Sequence, residues 1–493
     1  MFALSCRFLS PHELGGLTTQ QCVDVYTQHT IQTYKDARSI ETPPTLAYLQ
    51  GCVLLAFNYY TSGLNFQGWI CVGVCVRLAY ELGIADIDSE EDEVTIALDW
   101  VEKEERRRAW WLVWELDTFG SSISKRPFST DWRRAAVKLP VSDQAWFATQ
   151  EVDAPRLPSR WGNIQTIFDE MPQTDARPWF LLAQLLNVRA HEYLQQNVGV
   201  SLDERTILEN EINCLRLGLP SSFNLLSNQV DSSAYETSNS NWNWIVGTNL
   251  LLSSTSYIIR NLVVDERDGG DLGICRHTAP NGRRTRAVEL TKITSYWPLE
   301  FFPTSHPFLA CLLLTVDVRK GWNPTDTPLS TSSNIVTKMI QHKLGGKWRL
   351  ASLALRMNEI LGRPTDLSSV DMQLIHRYPV WFSQELRREA AAALTRQSNQ
   401  QEQASSTSRE GTRPACYDYF KKVPPVSLFR AGKETPSSHS STLPNLQGAP
   451  GTHEVNVEAM EFWNLDFTNC DFQVPQDMNE PEWPDAFLDA PIS

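Results

Sequence analysis

The stretch Glu104-Glu105-Arg106-Arg107-Arg108-Ala109-Trp110-Trp111, followed by Trp114-Glu115-Leu116-Asp117, constrains this chain more than any other feature. Carboxylates and guanidiniums run directly into three tryptophans. No catalytic chemistry needs that order, whereas a buried helix does. Glu104 and Arg108 stand at i,i+4, the spacing of a helical ion pair. Trp110, Trp114 and Asp117 stand at i, i+4 and i+7, so they share one helix face. Trp111 extends the apolar surface. Gly120 predicts the helix C-terminus, and a Ser-rich break then leads to Lys125-Arg126-Pro127.

The rest of the chain is punctuated in the same helical period. Val23, Tyr26, Thr30, Ile31 and Tyr34 follow it after a poorly periodic lead-in over residues 1–20. Pro43-Pro44 predicts a new helix opening at Thr45. Leu46 to Tyr60 is apolar on most faces, as in a central helix, and breaks at Ser62-Gly63. A helix from Phe66 to Leu82 ends at Gly83, and an acidic loop covers Asp86 to Asp92. Further helices are predicted over Trp179–Tyr193, Asp203–Leu217, Trp244–Val264, Phe308–Val318 and Asn334–Leu361. Arg283-Arg284-Thr285-Arg286 reads as an exposed basic loop before a helix from Val288, and is a candidate nuclear import contact. No strand alternation of comparable length and no repeat appear, so the expected fold class is all-α.

The opening segment resembles the signature of the fungal-specific transcription factor domain, the middle homology region of zinc-cluster regulators. The residues that carry the resemblance are Glu105, Arg107, Arg108, Trp110, Trp111, Asp117, Arg126, Pro127, Asp131, Leu139 and Pro140, with Trp114 completing the aromatic cluster. Lys125 stands where the family usually has Gly. Leu49 to Ala56 is similar to the family's leucine-rich second helix, and Arg77, Ala79, Leu82 and Gly83 keep the spacing of its next one. The best match covers residues 40–145. The resemblance implies a large multi-helix regulatory domain over residues 1–393, a nuclear transcription regulator rather than an enzyme, and control of a metabolic or secondary-metabolite gene set. It leaves room for a small-molecule effector held between helices and for a homodimer.

Composition bounds the partners. The net charge of -14 over 493 residues argues against this chain alone gripping DNA, because phosphate binding needs concentrated positive charge. Seventeen tryptophans predict a large aromatic core. Met1-Phe2-Ala3-Leu4 is too short for a signal peptide, and Asn249, Ser253, Ser254 and Arg260 interrupt the longest apolar run, so no membrane span is expected. The ten cysteines contain no Cys-x-x-Cys. They cannot build the family's six-thiolate binuclear zinc cluster. Cys71 and Cys75 share a helix face but lack further ligands, and read as buried thiols. No metal or cofactor site is therefore expected; zinc belongs only to an N-terminal cluster outside this sequence. The chain is either a regulator without that cluster, reaching DNA through a partner, or one whose DNA-binding module is encoded upstream of Met1.

Hydrolase, nucleotide-binding and metalloprotease motifs are missing. The carboxylates at 104, 105, 115 and 117 lie beside arginines and read as structural ion pairs rather than acid–base groups. Trp110, Trp111 and Trp114 read as core packing rather than a binding box. Residues 394–453 are rich in Ser, Gln and Pro and predict a disordered linker. Residues 454–493 differ again: ten carboxylates, with no Lys or Arg, interleave with Phe462, Trp463, Leu465, Phe467, Phe472, Trp483, Phe487 and Leu488. That alternation predicts an activation region whose aromatics dock on the transcription machinery or a co-activator. A plain interaction scaffold, which is the alternative, has no need of it.

Overall fold

The computed structural model describes residues 1–396 apart from 11, 39–42, 64–65, 90–97, 125, 158–163, 196–199, 227–238, 261, 263–278, 315–327, 363–366, 379–381 and 383–385. The tail at 454–493 and the linker lie outside the described residues, except for 394–396. Those three residues end a helix spanning 386–396, so helical structure passes the expected boundary at 393. Lys125 also lies outside them.

Local signals explain where the helices begin and end. After the short α1 (Phe2–Ser5) and the long α2 (Thr19–Arg38), the Thr45 side chain accepts a hydrogen bond from the Tyr48 amide at 3.2 Å and caps α3 (Leu46–Thr61). The helix α4 (Phe66–Glu81) buries Gly68, Cys71, Val72, Cys75, Val76 and Ala79, a face of i, i+3, i+4 and i+7 spacing. Gly83 follows it with φ +64°, the left-handed conformation that glycine adopts without steric cost. The signature helix α5 runs Trp100–Ser124, and two short helices follow, α6 (Asp143–Phe147) and α7 (Ile164–Glu170). Next come α8 (Arg177–Gln195) and α9 (Leu202–Gly218), the latter opened by a capping box in which Ser201 and Glu204 satisfy each other's backbone amides. The remaining helices are α10 (Asn239–Arg260), α11 (Ala279–Ser295), the single turn α12 (Leu309–Leu312), α13 (Pro328–Gly345), α14 (Arg349–Gly362) and α15 (Ser369–Arg377). Among the described residues there is no strand, and an isolated bridge pairs Lys138 with Arg156. The fold is all-α.

One hydrophobic core joins α3, α4 and α5 to α8, α10 and the C-terminal helices. Trp110, Trp114, Trp179 and Trp242 are its largest fully buried side chains. Helix α8 is buried at every residue from Pro178 to Val188, Gln184 and Asn187 included, as befits a helix surrounded by others. Among the described residues, no helix is long and apolar enough to cross a membrane.

The structure departs from the sequence-based expectations in five places. Gly120 does not end α5, which continues to Ser124. It lies mid-helix where the Tyr60 ring approaches so closely that a Cβ would overlap the phenol. The stretch expected as one helix over Asn334–Leu361 is two, because the chain turns at Gly345-Gly346 between α13 and α14. Only one helical turn, α12, forms in Phe308–Val318 among its described residues. The basic segment Arg283–Arg286 is not a loop but part of α11, and Arg286 is buried. The lead-in also folds: Arg7 is buried, donates to the Ala3 carbonyl and to Asn58 Oδ1 of α3, and lies 5.1 Å over the Trp348 ring.

Candidate functional site

Beyond the end of α5 at Ser124 the chain runs back beside it in the opposite direction as an irregular strap, 126–142. Polar groups of the signature helix peg this strap at successive heights. Near the C-terminal end, Asp117 Oδ2 accepts hydrogen bonds from the Ser129 amide, the Thr130 amide and the Thr130 hydroxyl, each 2.8 Å long. Further down, Trp111 Nε1 donates to the Lys138 carbonyl at 2.7 Å. Glu104 Oε1 accepts from the Val141 amide at 3.0 Å and from Arg108 Nε at 3.1 Å. Arg108 in turn donates to the Val141 carbonyl and to Asp143, both at 2.8 Å. An irregular segment laid on a core leaves backbone amides and carbonyls without partners. The pegs supply those partners.

Asp88 completes the unit from a third segment. Its carboxylate accepts from Arg107 Nε and Nη2 and from the Lys138 amide at 2.7 Å. The Asp88 amide donates to the Ala136 carbonyl at 3.0 Å, and the Ala136 amide to the Ala85 carbonyl at 2.7 Å. The turn after α4, the signature helix and the strap are thus tied into one block.

The other signature residues occupy different positions. Glu105 accepts from Gln50 of α3 at 2.8 Å. Trp110 is fully buried, edge-on to Tyr80 at 5.8 Å, and Trp111 meets Trp114 edge to face at 5.4 Å. The Arg126 guanidinium lies 4.6 Å over the Trp69 ring. The Pro127 ring is exposed, but its carbonyl accepts from the Ser121 hydroxyl at 3.2 Å. Phe462, Trp463, Leu465, Phe467, Phe472, Trp483 and Phe487 lie outside the described residues. Asp88, Arg177 and the strap backbone were missed in the sequence. The only signal for Asp88 was its place next to the buried Ile84 and Ile87, just past a helix end.

Burial raises the pKa of Glu104, Glu115 and Asp117 above the usual carboxylate range. Their donors pull each back: the Val141 amide and two arginines for Glu104, Arg177 for Glu115, and the Thr130 and Ser129 groups for Asp117. All three carboxylates accept hydrogen bonds from fixed donors, which suits them to holding structure.

Along the C-terminal half of α5 lies a cavity of about 140 Å³, walled by α5, α8, α10, α11 and residues 306–314. Glu115 lines it and is ion-paired by both Arg177 Nη atoms. Arg177 in turn lies 4.1 Å over the Trp244 ring. His306, also on the wall, packs against Phe57, Phe308 and Trp244. It keeps some surface open toward the cavity, and desolvation holds its pKa down to about 3, with the Arg177 charge adding to the effect. Its ring is therefore neutral, with Nδ1 accepting from the Phe308 amide at 3.4 Å. None of Trp110, Trp111 and Trp114 lines this cavity.

The family model described as the fungal specific transcription factor domain matches residues 1–258, which is more than half of the chain and includes the whole α5–strap block. The chain belongs to the fungal specific transcription factor domain family. A tropolone cluster transcription factor of Talaromyces stipitatus is 33% identical over 118 residues, which are 23% of this chain and 20% of that protein. Citrinin biosynthesis transcriptional activators of Monascus ruber and Monascus purpureus are each 27% identical over 126 residues, 26% of this chain and 24% and 21% of theirs. The chain thus spans only about a quarter or less of the relatives it matches. No solved structure matches it. The family and these relatives are transcription factors, not enzymes.

Proposed function

We propose that the chain is a fungal transcription regulator that controls a gene set of secondary metabolism from the nucleus. The observation that carries this reading is the family match over residues 1–258, which contains the pegged block of α5, Asp88 and the strap. The ties of Glu104, Glu115 and Asp117 to fixed donors support it, because they fit a structural role for these carboxylates. The tropolone and citrinin relatives supply the gene-set class.

In this reading residues 1–393 form the regulatory domain and 394–453 a linker. Residues 454–493 recruit the transcription machinery or a co-activator through Phe462, Trp463, Leu465, Phe467, Phe472, Trp483 and Phe487. DNA is reached through a partner or through a zinc-cluster module outside this sequence. The net charge of -14 supports that division of labour. Deleting the gene and sequencing transcripts tests the reading. A block of neighbouring biosynthetic genes should fall together, and an unchanged transcript profile under producing conditions would contradict it.

A further inference from the structure

We propose that the cavity between α5, α8, α10 and α11 binds a single-ring aromatic carboxylic acid, whose carboxylate pairs with Arg286. Arg286 is more than nine-tenths buried and lines the cavity. Its Nη2 donates to the carbonyls of Leu312 and Leu314, at 3.3 and 3.1 Å, and its guanidinium carbon lies 4.7 Å over the Tyr257 ring. These contacts fix the fork but do not neutralise it. Among the described residues no carboxylate lies within ion-pairing distance, and Nε has no acceptor. Glu289, on the same helix, is taken by Ser253 at 2.6 Å and by Arg216 at 3.6 Å.

Buried cations are normally paired, because an isolated one gives up its hydration with no return. A ligand carboxylate would restore the balance, and the planar fork of arginine matches it. The remaining walls suit an apolar ring. Phe119 and Phe308 stack in parallel beside Leu251, Ile258 and Leu309. Among the described residues on the wall, Glu115 is neutralised by Arg177 and His306 is uncharged. A volume of about 140 Å³ is close to the roughly 150 Å³ of a dry protein cavity that admits benzene. The half-buried His191, Leu194, Ser254 and Tyr257 mark the open side. Arg286 and residues 306–314 lie beyond the family match, so this site is built partly from sequence that the family model does not describe.

Isothermal titration of the purified full chain with benzoate, and with benzamide as its neutral counterpart, tests the proposal independently of any transcriptional role. Benzoate should saturate one site and bind at least about tenfold more tightly than benzamide, the discrimination expected of a charge-assisted pair. Arg286→Gln should erase that preference with the helical circular dichroism intact. Ser254→Leu, at the half-buried mouth, should block both compounds, and it keeps the test decisive if Arg286→Gln does not fold. Three results would each overturn the proposal: no saturable benzoate binding, equal affinity for benzamide, or benzoate affinity unchanged by Ser254→Leu.

Discussion

Asp117 holds Thr130 twice through one oxygen, accepting both its amide and its hydroxyl at 2.8 Å. The carboxylate is buried, and the Ser129 amide is its third donor. Asp117→Ala should therefore leave the buried Thr130 amide and the more exposed Ser129 amide without their acceptor, at a cost of about 1–3 kcal/mol. Asp117→Asn keeps one acceptor oxygen and should cost less than half as much. Urea unfolding of both variants checks this order. Equal midpoints for Asp117→Ala and the unaltered chain would show that the strap does not depend on the peg.

Glu104 and Arg108 should not be equivalent. Glu104 is fully buried and is bonded to Arg107, Arg108 and the Val141 amide, whereas Arg108 is a quarter exposed. Removing Glu104 leaves the Val141 amide without its acceptor and takes one carboxylate from Arg107 and Arg108, which keep Asp88 and Asp143, and should cost about 2–3 kcal/mol. Removing Arg108 leaves Glu104 with Arg107 and Val141, and should cost about 1–2 kcal/mol. Thermal unfolding of Glu104→Ala and Arg108→Ala gives the comparison, and a larger loss for Arg108→Ala would reverse the assignment.

Gly120 and Tyr60 form a tight contact between α5 and α3. A Cβ at position 120 would overlap the Tyr60 phenol, which is itself fully buried. Gly120→Ala should destabilise by about 1–3 kcal/mol despite the better helix propensity of alanine. Combining it with Tyr60→Leu should recover part of that loss, giving a coupling of about 1 kcal/mol. Additive costs in the double variant would place the strain elsewhere.

His306 sets a sign for the pH dependence of stability. Its folded pKa is about 3, against about 6.5 for an unfolded chain. Below pH 6.5 the unfolded chain takes up a proton that the folded one refuses. The stabilisation is thus complete above that pH and is lost as the pH falls toward 3. The slope of about 1.4 kcal/mol per pH unit amounts to at most about 2 kcal/mol by pH 5. Glu104, Glu115 and Asp117 act in the opposite sense, because their folded pKa values are raised. Their protonation on acidification favours the folded state. His306→Phe should flatten the fall in unfolding midpoint between pH 7 and pH 5, and an unchanged fall would assign it to other groups.

The helices were legible where a local signal specifies them. Thr45 after two prolines and Gly83 after an amphipathic run each act within one turn, and the observed ends follow them. Gly120 misled because glycine serves both helix ends and close approaches, and its reason, Tyr60, stands sixty residues away. The partners of the signature were hidden for a similar cause. Asp117, Trp111 and Glu104 bond to backbone groups of an aperiodic strap, and no residue identity encodes a backbone amide. Arg286 sits in a run of arginines that reads as solvated. Its burial comes from tertiary packing against residues 306–314 and α10, not from its neighbours in sequence.

Tethering tests the regulatory account most directly. The full chain is fused to an unrelated DNA-binding domain, and transcription is measured from a reporter carrying that domain's site. The account predicts activation that disappears when Phe462, Trp463, Phe467 and Phe472 are replaced by Ala, a change that leaves the charge of residues 454–493 intact. Reporter output no higher than that of the DNA-binding domain alone, or activation indifferent to the four replacements, would contradict it.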